Sequence, residues 1–100
     1  MNITIQTVHF DADSKLLEFV RQKTAKLTQF HDRIIRVDIF LKLDNIVHTI
    51  KDKIVEIRVH VPKSEFFVKC TSKSFEASFD EALASLVNQI KRKKEKMALV

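Results

Sequence analysis

The 100-residue chain sets 18 Lys and Arg against 13 Asp and Glu, a net charge of +5, and has one proline, one cysteine and no glycine, tryptophan or tyrosine. Average usage would supply about seven glycines. Their absence excludes the P-loop, the dinucleotide fingerprint, the nucleophile elbow and the EF-hand loop, which need glycine for positive φ or close backbone approach; the KH clamp and the RNP motif of RRM domains are excluded with them. With 45% hydrophobic residues, the chain suits one domain over residues 1–100 with one core. No run approaches the ~18 apolar residues of a membrane span, and no basic-then-apolar signal opens the chain. A lone cysteine can form neither an internal disulfide nor a cysteine zinc cluster. The expectation is a soluble cytoplasmic protein.

Residues 2–9 alternate, Ile3 and Ile5 against Thr4 and Gln6, as a half-buried strand does. Asp11 and Asp13 supply an N-cap signal for a helix from Ser14 to about Phe30. Leu16, Val20, Thr24 and Leu27 form its inner side with Leu17 beside them. Lys15, Gln22 and Lys26 form a polar strip, and Lys23 sits at its border. A second strand, about Ile34 to Asp44, directs Ile35, Val37, Ile39, Leu41 and Leu43 one way and Arg36, Asp38, Phe40 and Lys42 the other. Asn45 to Asp52 is the longest expected loop, with Ile46, Val47 and Ile50 making it unusually apolar.

The third strand, about Lys53 to Val61, groups Val55, Ile57, Val59 and Val61 opposite Glu56, Arg58 and His60. Pro62-Lys63-Ser64 turns without glycine into a fourth strand, Glu65 to Thr71, which buries Phe66, Val68 and Cys70 and exposes Phe67 and Lys69. Ser72 or Ser74 caps the last helix, whose stripe is Phe75, Phe79, Ala82, Leu83, Leu86 and Ile90. The order β-α-β-β-β-α makes the first helix a right-handed crossover between parallel strands, followed by antiparallel hairpins. The fold class is α+β: a four-stranded mixed sheet with two helices on one face and the other face open.

Charge is unevenly placed. Lys73 against Glu76, Asp80 and Glu81 makes residues 73–90 acidic; Lys91, Arg92, Lys93, Lys94 and Lys96 against Glu95 make the last ten residues strongly basic. Such a segment favours a polyanion, although cations in a final helical turn also complement the helix dipole. Two helices side by side can join this cluster to Lys15, Gln22, Lys23 and Lys26, a surface suited to structured RNA, which is read through shape and backbone. On the open sheet face, Phe40 and Phe67 with Arg58 and His60 are either a base-stacking platform, isolated exposed apolar residues or a self-association surface. His9, His31, His48 and His60 lie in four segments without metal-ligand spacing. Cys70 points inward as a small hydrophobe rather than a nucleophile. Neither a catalytic site nor a cofactor is expected.

Several segments are similar to the ribosome hibernation-promoting factors: the opening Met1-Asn2-Ile3-Thr4-Ile5, the run Val20-Arg21-Gln22-Lys23-Thr24-Ala25-Lys26-Leu27, and the last helix from Ala77 through Asp80, Leu86 and Gln89-Ile90 to Lys94-Glu95-Lys96. The resemblance spans nearly the whole chain and rests on length, order and spacing together. It implies a fold like the double-stranded-RNA-binding domain and a partner, the small ribosomal subunit, with ribosomal RNA and neighbouring ribosomal proteins contacted in the decoding cleft. There the protein would block mRNA and tRNA binding in stationary phase or stress. It implies RNA contacts by Lys23, Lys26, Gln89, Arg92 and Lys94, to which the basic cluster itself adds Lys91, Lys93 and Lys96. Ser85 and Asn88 stand where enterobacterial members usually carry Lys and Arg, and Ser74, Phe75 and Glu76 alter the usual start of that helix. The length matches the short factors, which promote ribosome dimers with or without a helper protein. The alternative from the interaction class is a homodimer pairing through the fourth strand as an edge, with Phe67 at the contact.

Overall fold

The computed structural model describes residues 1–43 and 52–98. The loop expected over 45–52, apart from Asp52, and His48 lie outside the described residues. The elements are β1 (Asn2–Val8), α1 (Ser14–Ala25), a 3-10 turn (Lys26–Gln29), β2 (Arg36–Leu43), β3 (Lys53–Val61), β4 (Ser64–Ser72) and α2 (Phe75–Ala98). The sheet order is β1-β2-β3-β4, with β1 parallel to β2 and the other pairs antiparallel. The expected α+β architecture is present, with both helices on one face.

Strand alternation and register together build the core. Ile3, Val37, Val59 and Phe66 are aligned across the four strands, as are Ile5, Ile39, Ile57 and Val68. The side-chain period of two sends both rows to the helix-covered face. There they meet Leu16, Val20, Thr24 and Leu27 of the first helical segment and Phe75, Phe79, Ala82, Leu86 and Ile90 of α2, all buried. Leu83 packs at the border of this cluster, half-buried. Phe79 joins the two helices, packing edge-on against Phe19 with ring centroids 6.0 Å apart. Ser78, completely buried, donates from its hydroxyl to the Lys53 carbonyl at 2.6 Å and ties α2 to the start of β3.

The helix starts follow from capping. Asp13 Oδ1 accepts the Leu16 N–H at 2.8 Å, and Ser74, rather than Ser72, accepts the Ala77 N–H at 3.1 Å. Three boundaries differ from the sequence expectation. β1 stops at Val8 because His9 takes a left-handed backbone, φ 68°. α1 gives way after Ala25 to the 3-10 turn, where the Thr28 hydroxyl donates back to the Ala25 carbonyl. Such side-chain bonds compete with the α-helical ladder. The tighter turn still buries Leu27.

The third difference is Ile35, expected on the core face but 56% exposed. β2 begins at Arg36. The Ile35 backbone still bridges its neighbours, donating to the His60 carbonyl and accepting from Asn2 N–H, while its side chain is left at the sheet's rim. Cys70, expected to be buried, is half-buried. It occupies an inward row with Val55 and Leu41, near the end of β4.

Polar rows cover the opposite face. Thr4, Asp38, Arg58 and Phe67 form one, and Gln6, Phe40, Glu56 and Lys69 the next. Burial pushes the Asp38 carboxyl up, but hydrogen bonds from Thr4, His60 and Arg36 outweigh it and hold the group below its ordinary value. A carboxyl depressed on folding contributes stability that is present above its unfolded pKa and is lost as pH falls through the folded value.

Two outcomes follow for stability. Ile39→Ala should cost about 2–5 kcal/mol and Ile35→Ala no more than about 0.5 kcal/mol, read as urea midpoints at unchanged m; equal costs would contradict the burial difference. The melting temperature should fall steeply below about pH 4, and Asp38→Asn should lower it at pH 7 while flattening that acid limb. Thermal melts between pH 2.5 and 7 test this, and an unchanged limb would remove Asp38 from the account.

Candidate nucleic-acid interface

Ile90 is the last completely buried residue among the described side chains of α2, yet the helix continues to Ala98. About two turns, ~12 Å, therefore carry the basic cluster beyond the core. Lys91, Arg92, Lys93 and Lys94 are exposed. Lys96 belongs to α2 by its backbone, and its side chain lies outside the described residues. Glu76, Asp80 and Glu81 are exposed near the other end of the helix. Both ends thus complement the helix dipole, carboxylates at its positive amino end and cations at its negative carboxyl end.

The four described cations spread in two directions. Lys91 Nζ rests 5.4 Å from the Phe30 ring centroid, and Lys94 Nζ donates to the Phe30 carbonyl. On the other flank, Lys93 Nζ donates to the Ser64 hydroxyl and lies 5.5 Å from the Phe66 ring centroid. Arg92 lies with Gln89 and Lys93 at a second cleft against Phe66. The helix end is thereby held between the segment after α1 and the β3–β4 turn.

Topology brings the first helix to the same place. α1 is a crossover between parallel strands and α2 returns from β4, so both helices run opposite to β1 and point their carboxyl ends the same way. Lys23 and Lys26 fall in the last turn of α1 and the first residue of the 3-10 turn, on the chain leading into Phe30. Lys23, half-buried as its border position predicts, lies 5.6 Å from the Phe19 ring centroid. Lys26, Lys15 and Gln22 are exposed, and Gln22 donates to Glu18 at 3.1 Å. Ammonium groups over aromatic faces gain about 0.5–1 kcal/mol at exposed sites; Phe19, Phe30 and Phe66 therefore steady three lysines.

Gln89 turns elsewhere: its amide donates to the Phe67 carbonyl of β4 at 3.2 Å. This covers part of the open edge of the sheet, the edge on which strand-mediated dimerisation would depend. Ser85 and Asn88 are exposed one to two turns before Lys91, so the cationic surface of α2 begins only at its end.

The open sheet face has a different electrostatic character. Arg36 pairs with Asp38 at 3.1 Å, Lys42 with Glu56, and His60 with Asp38 at 3.0 Å and Glu65 at 3.5 Å. Phe40 and Phe67 lie in different cross-strand rows and each carries a cation, Lys42 at 5.8 Å and Arg58 at 5.2 Å from the ring centroids. They form no shared platform. Among the described residues, no ion pair joins Lys91, Arg92, Lys93 or Lys94 to a carboxylate, so positive potential is uncompensated at the helix ends and balanced on the sheet.

Sequence reasoning passed over Arg33 and Lys63. They stand on the rim of a cleft of about 480 Å³ together with Lys93 and Lys94. Only Lys63 had a local signal, the Pro62-Lys63 turn, where its φ is 65°. Burial lowers the nearby His31 imidazole below its ordinary value; Lys94, Arg33 and Lys93 add to this against the opposing pull of Asp32. For Cys70, burial and then Glu81 push the thiol up, which keeps it protonated and poorly nucleophilic at neutral pH. Among the described residues, no three His, Cys, Asp or Glu side chains converge as a metal-holding group, and no described helix is long and apolar enough to cross a membrane.

Comparison with known proteins agrees with this architecture. The ribosome hibernation promoting factors of Escherichia coli K12 and Klebsiella oxytoca are 29% and 27% identical to the chain over 97 residues, covering 97% of each partner in the alignment. A ribosomal subunit interface protein from Coxiella burnetii shares the fold with a TM-score of 0.84 at 22% identity, over 95% of this chain and 99% of that one. The N-terminal domain of Thermus thermophilus Protein Y superposes with a TM-score of 0.77 at 25% identity, over 92% and 98%. The model of the sigma 54 modulation protein / S30EA ribosomal protein family matches residues 3–98, and the chain belongs to that family.

Proposed function

We propose that this protein is a non-enzymatic ribosome hibernation factor of the cytoplasm. As a single domain it binds the small ribosomal subunit in the decoding cleft and blocks mRNA and tRNA there in stationary phase or stress. The observation that carries this reading is the uncompensated cationic surface where the two helices end. Lys23, Lys26, Lys91, Arg92, Lys93, Lys94 and Lys96 supply phosphate contacts, and Gln89 steadies the helix on β4 beside them. Hibernation factors from two enterobacteria that align along nearly their whole length support the partner. The rigid sheet behind the helices supports a steric mode of inhibition: a plug must hold its charges in register while displacing flexible RNA. Promotion of ribosome dimers, alone or with a helper protein, belongs to the same reading.

Charge reversal of Lys91, Arg92 and Lys94 together should weaken co-sedimentation with small subunits by at least a hundredfold while leaving the circular dichroism spectrum unchanged. Unchanged binding would refute the assignment of the helix end. For the native protein, about seven phosphate contacts, each adding about 0.7–0.9 to the salt slope, predict a loss of about 10³–10⁴ in affinity between 50 and 200 mM salt. The triple variant should have a slope shallower by about 2–3. A salt-independent affinity would remove the phosphate-contact mechanism.

A further inference from the structure

The cleft of about 480 Å³ beside the end of α2 lies within the size range of small-ligand sites. Its walls are chemically divided. Val61, Phe66 and Ile90, all buried, make its apolar lining together with Pro62. Arg33, Lys63, Lys93 and Lys94 supply four cations to its lining, and no carboxylate lines the cleft. His31 accepts the Arg33 backbone N–H at Nδ1, 3.1 Å. In a neutral ring this leaves Nε2 as the N–H donor, and burial together with the surrounding cations favours the neutral ring. The ring stands edge-on to Phe66.

An apolar lining, an imidazole N–H donor and four cations without a carboxylate match one ligand chemistry: a flat heteroaromatic ring joined to phosphate. We propose that this cleft receives one unpaired nucleotide of an RNA strand, with its base on Val61, Pro62 and Phe66 and its flanking phosphates on Arg33 and Lys63. This rests on the reading that the protein's partner is RNA, and it extends the interface past the helix ends to the β3–β4 turn. A base held within a duplex cannot enter such a slot, whereas an unstacked base of a loop or single strand can. The cleft therefore selects single-stranded RNA at one point of a surface that otherwise meets phosphates.

The test is NMR titration of the isotopically labelled full chain with a single-stranded RNA hexamer, with an RNA duplex and inorganic phosphate in parallel. The hexamer should shift the Phe66 ring, His31 and Val61 methyl resonances, while duplex and phosphate leave Phe66 and Val61 unmoved. The double variant Arg33→Ala/Lys63→Asn should weaken hexamer binding about tenfold and abolish those shifts. Asn tolerates the left-handed backbone at position 63, and unchanged core methyl resonances verify the fold. Hexamer shifts confined to the helices or the open sheet face, or an unaffected double variant, would overturn the proposal. If small subunits bind the native protein and the hexamer leaves the cleft unmoved, the cleft site is refuted and the ribosome reading stands. If neither binds, both fall.

Discussion

Everything in this molecule depends on seating the apolar stripe of α2 on the sheet. Phe79, Ala82, Leu86 and Ile90 are completely buried, and their spacing fixes both the rotation of the helix and how far along the sheet it lies. The Ser78 hydroxyl bond to the Lys53 carbonyl and the Gln89 bond to Phe67 lock that position at two points. After Ile90 the stripe stops, and residues 91–95 are exposed. The cluster there is exposed because packing has run out, and it is held in place because packing immediately before it is complete.

The second organising feature is the partition of charge between two faces. The open sheet face also carries cations, yet Asp38 pairs with Arg36 and Glu56 with Lys42, and the His60 imidazole lies against Asp38 and Glu65. A polyanion approaching that face would meet carboxylates as well as ammonium groups. At the helix ends the lysines instead rest on aromatic faces and on neutral oxygens, interactions that position a cation while leaving its charge available. Composition alone assigns both faces a similar character; pairing separates them.

The missing glycines take on a further meaning in the fold. Among the described residues, two backbone positions take the left-handed region, and His9 and Lys63 fill them at a cost of roughly 1–2 kcal/mol each in place of glycine. At Lys63 the reason is geometric. Pro62 fixes φ near −65°, which excludes the I′ and II′ turns usual in two-residue hairpins and moves the positive φ to the next residue, as in a type II turn. That turn places a cation on the rim of the cleft, where glycine would place none.

The sequence by itself determined the order of elements, the inner face of each and the caps, because period-two and period-3.6 patterns are local and unbroken: Val55, Ile57, Val59 and Val61 on β3, and Phe75 through Ile90 on α2. It also marked the cluster at Lys91–Lys96 and the border position of Lys23. Ile35 and the end of α1 misled local reading, since alternation does not reveal where a sheet ends or where threonine side chains tighten a helix. Tertiary structure alone decided which cations are free, because pairing joins residues such as Asp38 and His60 that lie far apart in the chain. It alone brought Arg33 and Lys63 to the cleft beside Lys93 and Lys94, from a loop, a turn and a helix that share no local pattern. Charge can be counted along a chain, but its availability is a property of neighbours in space.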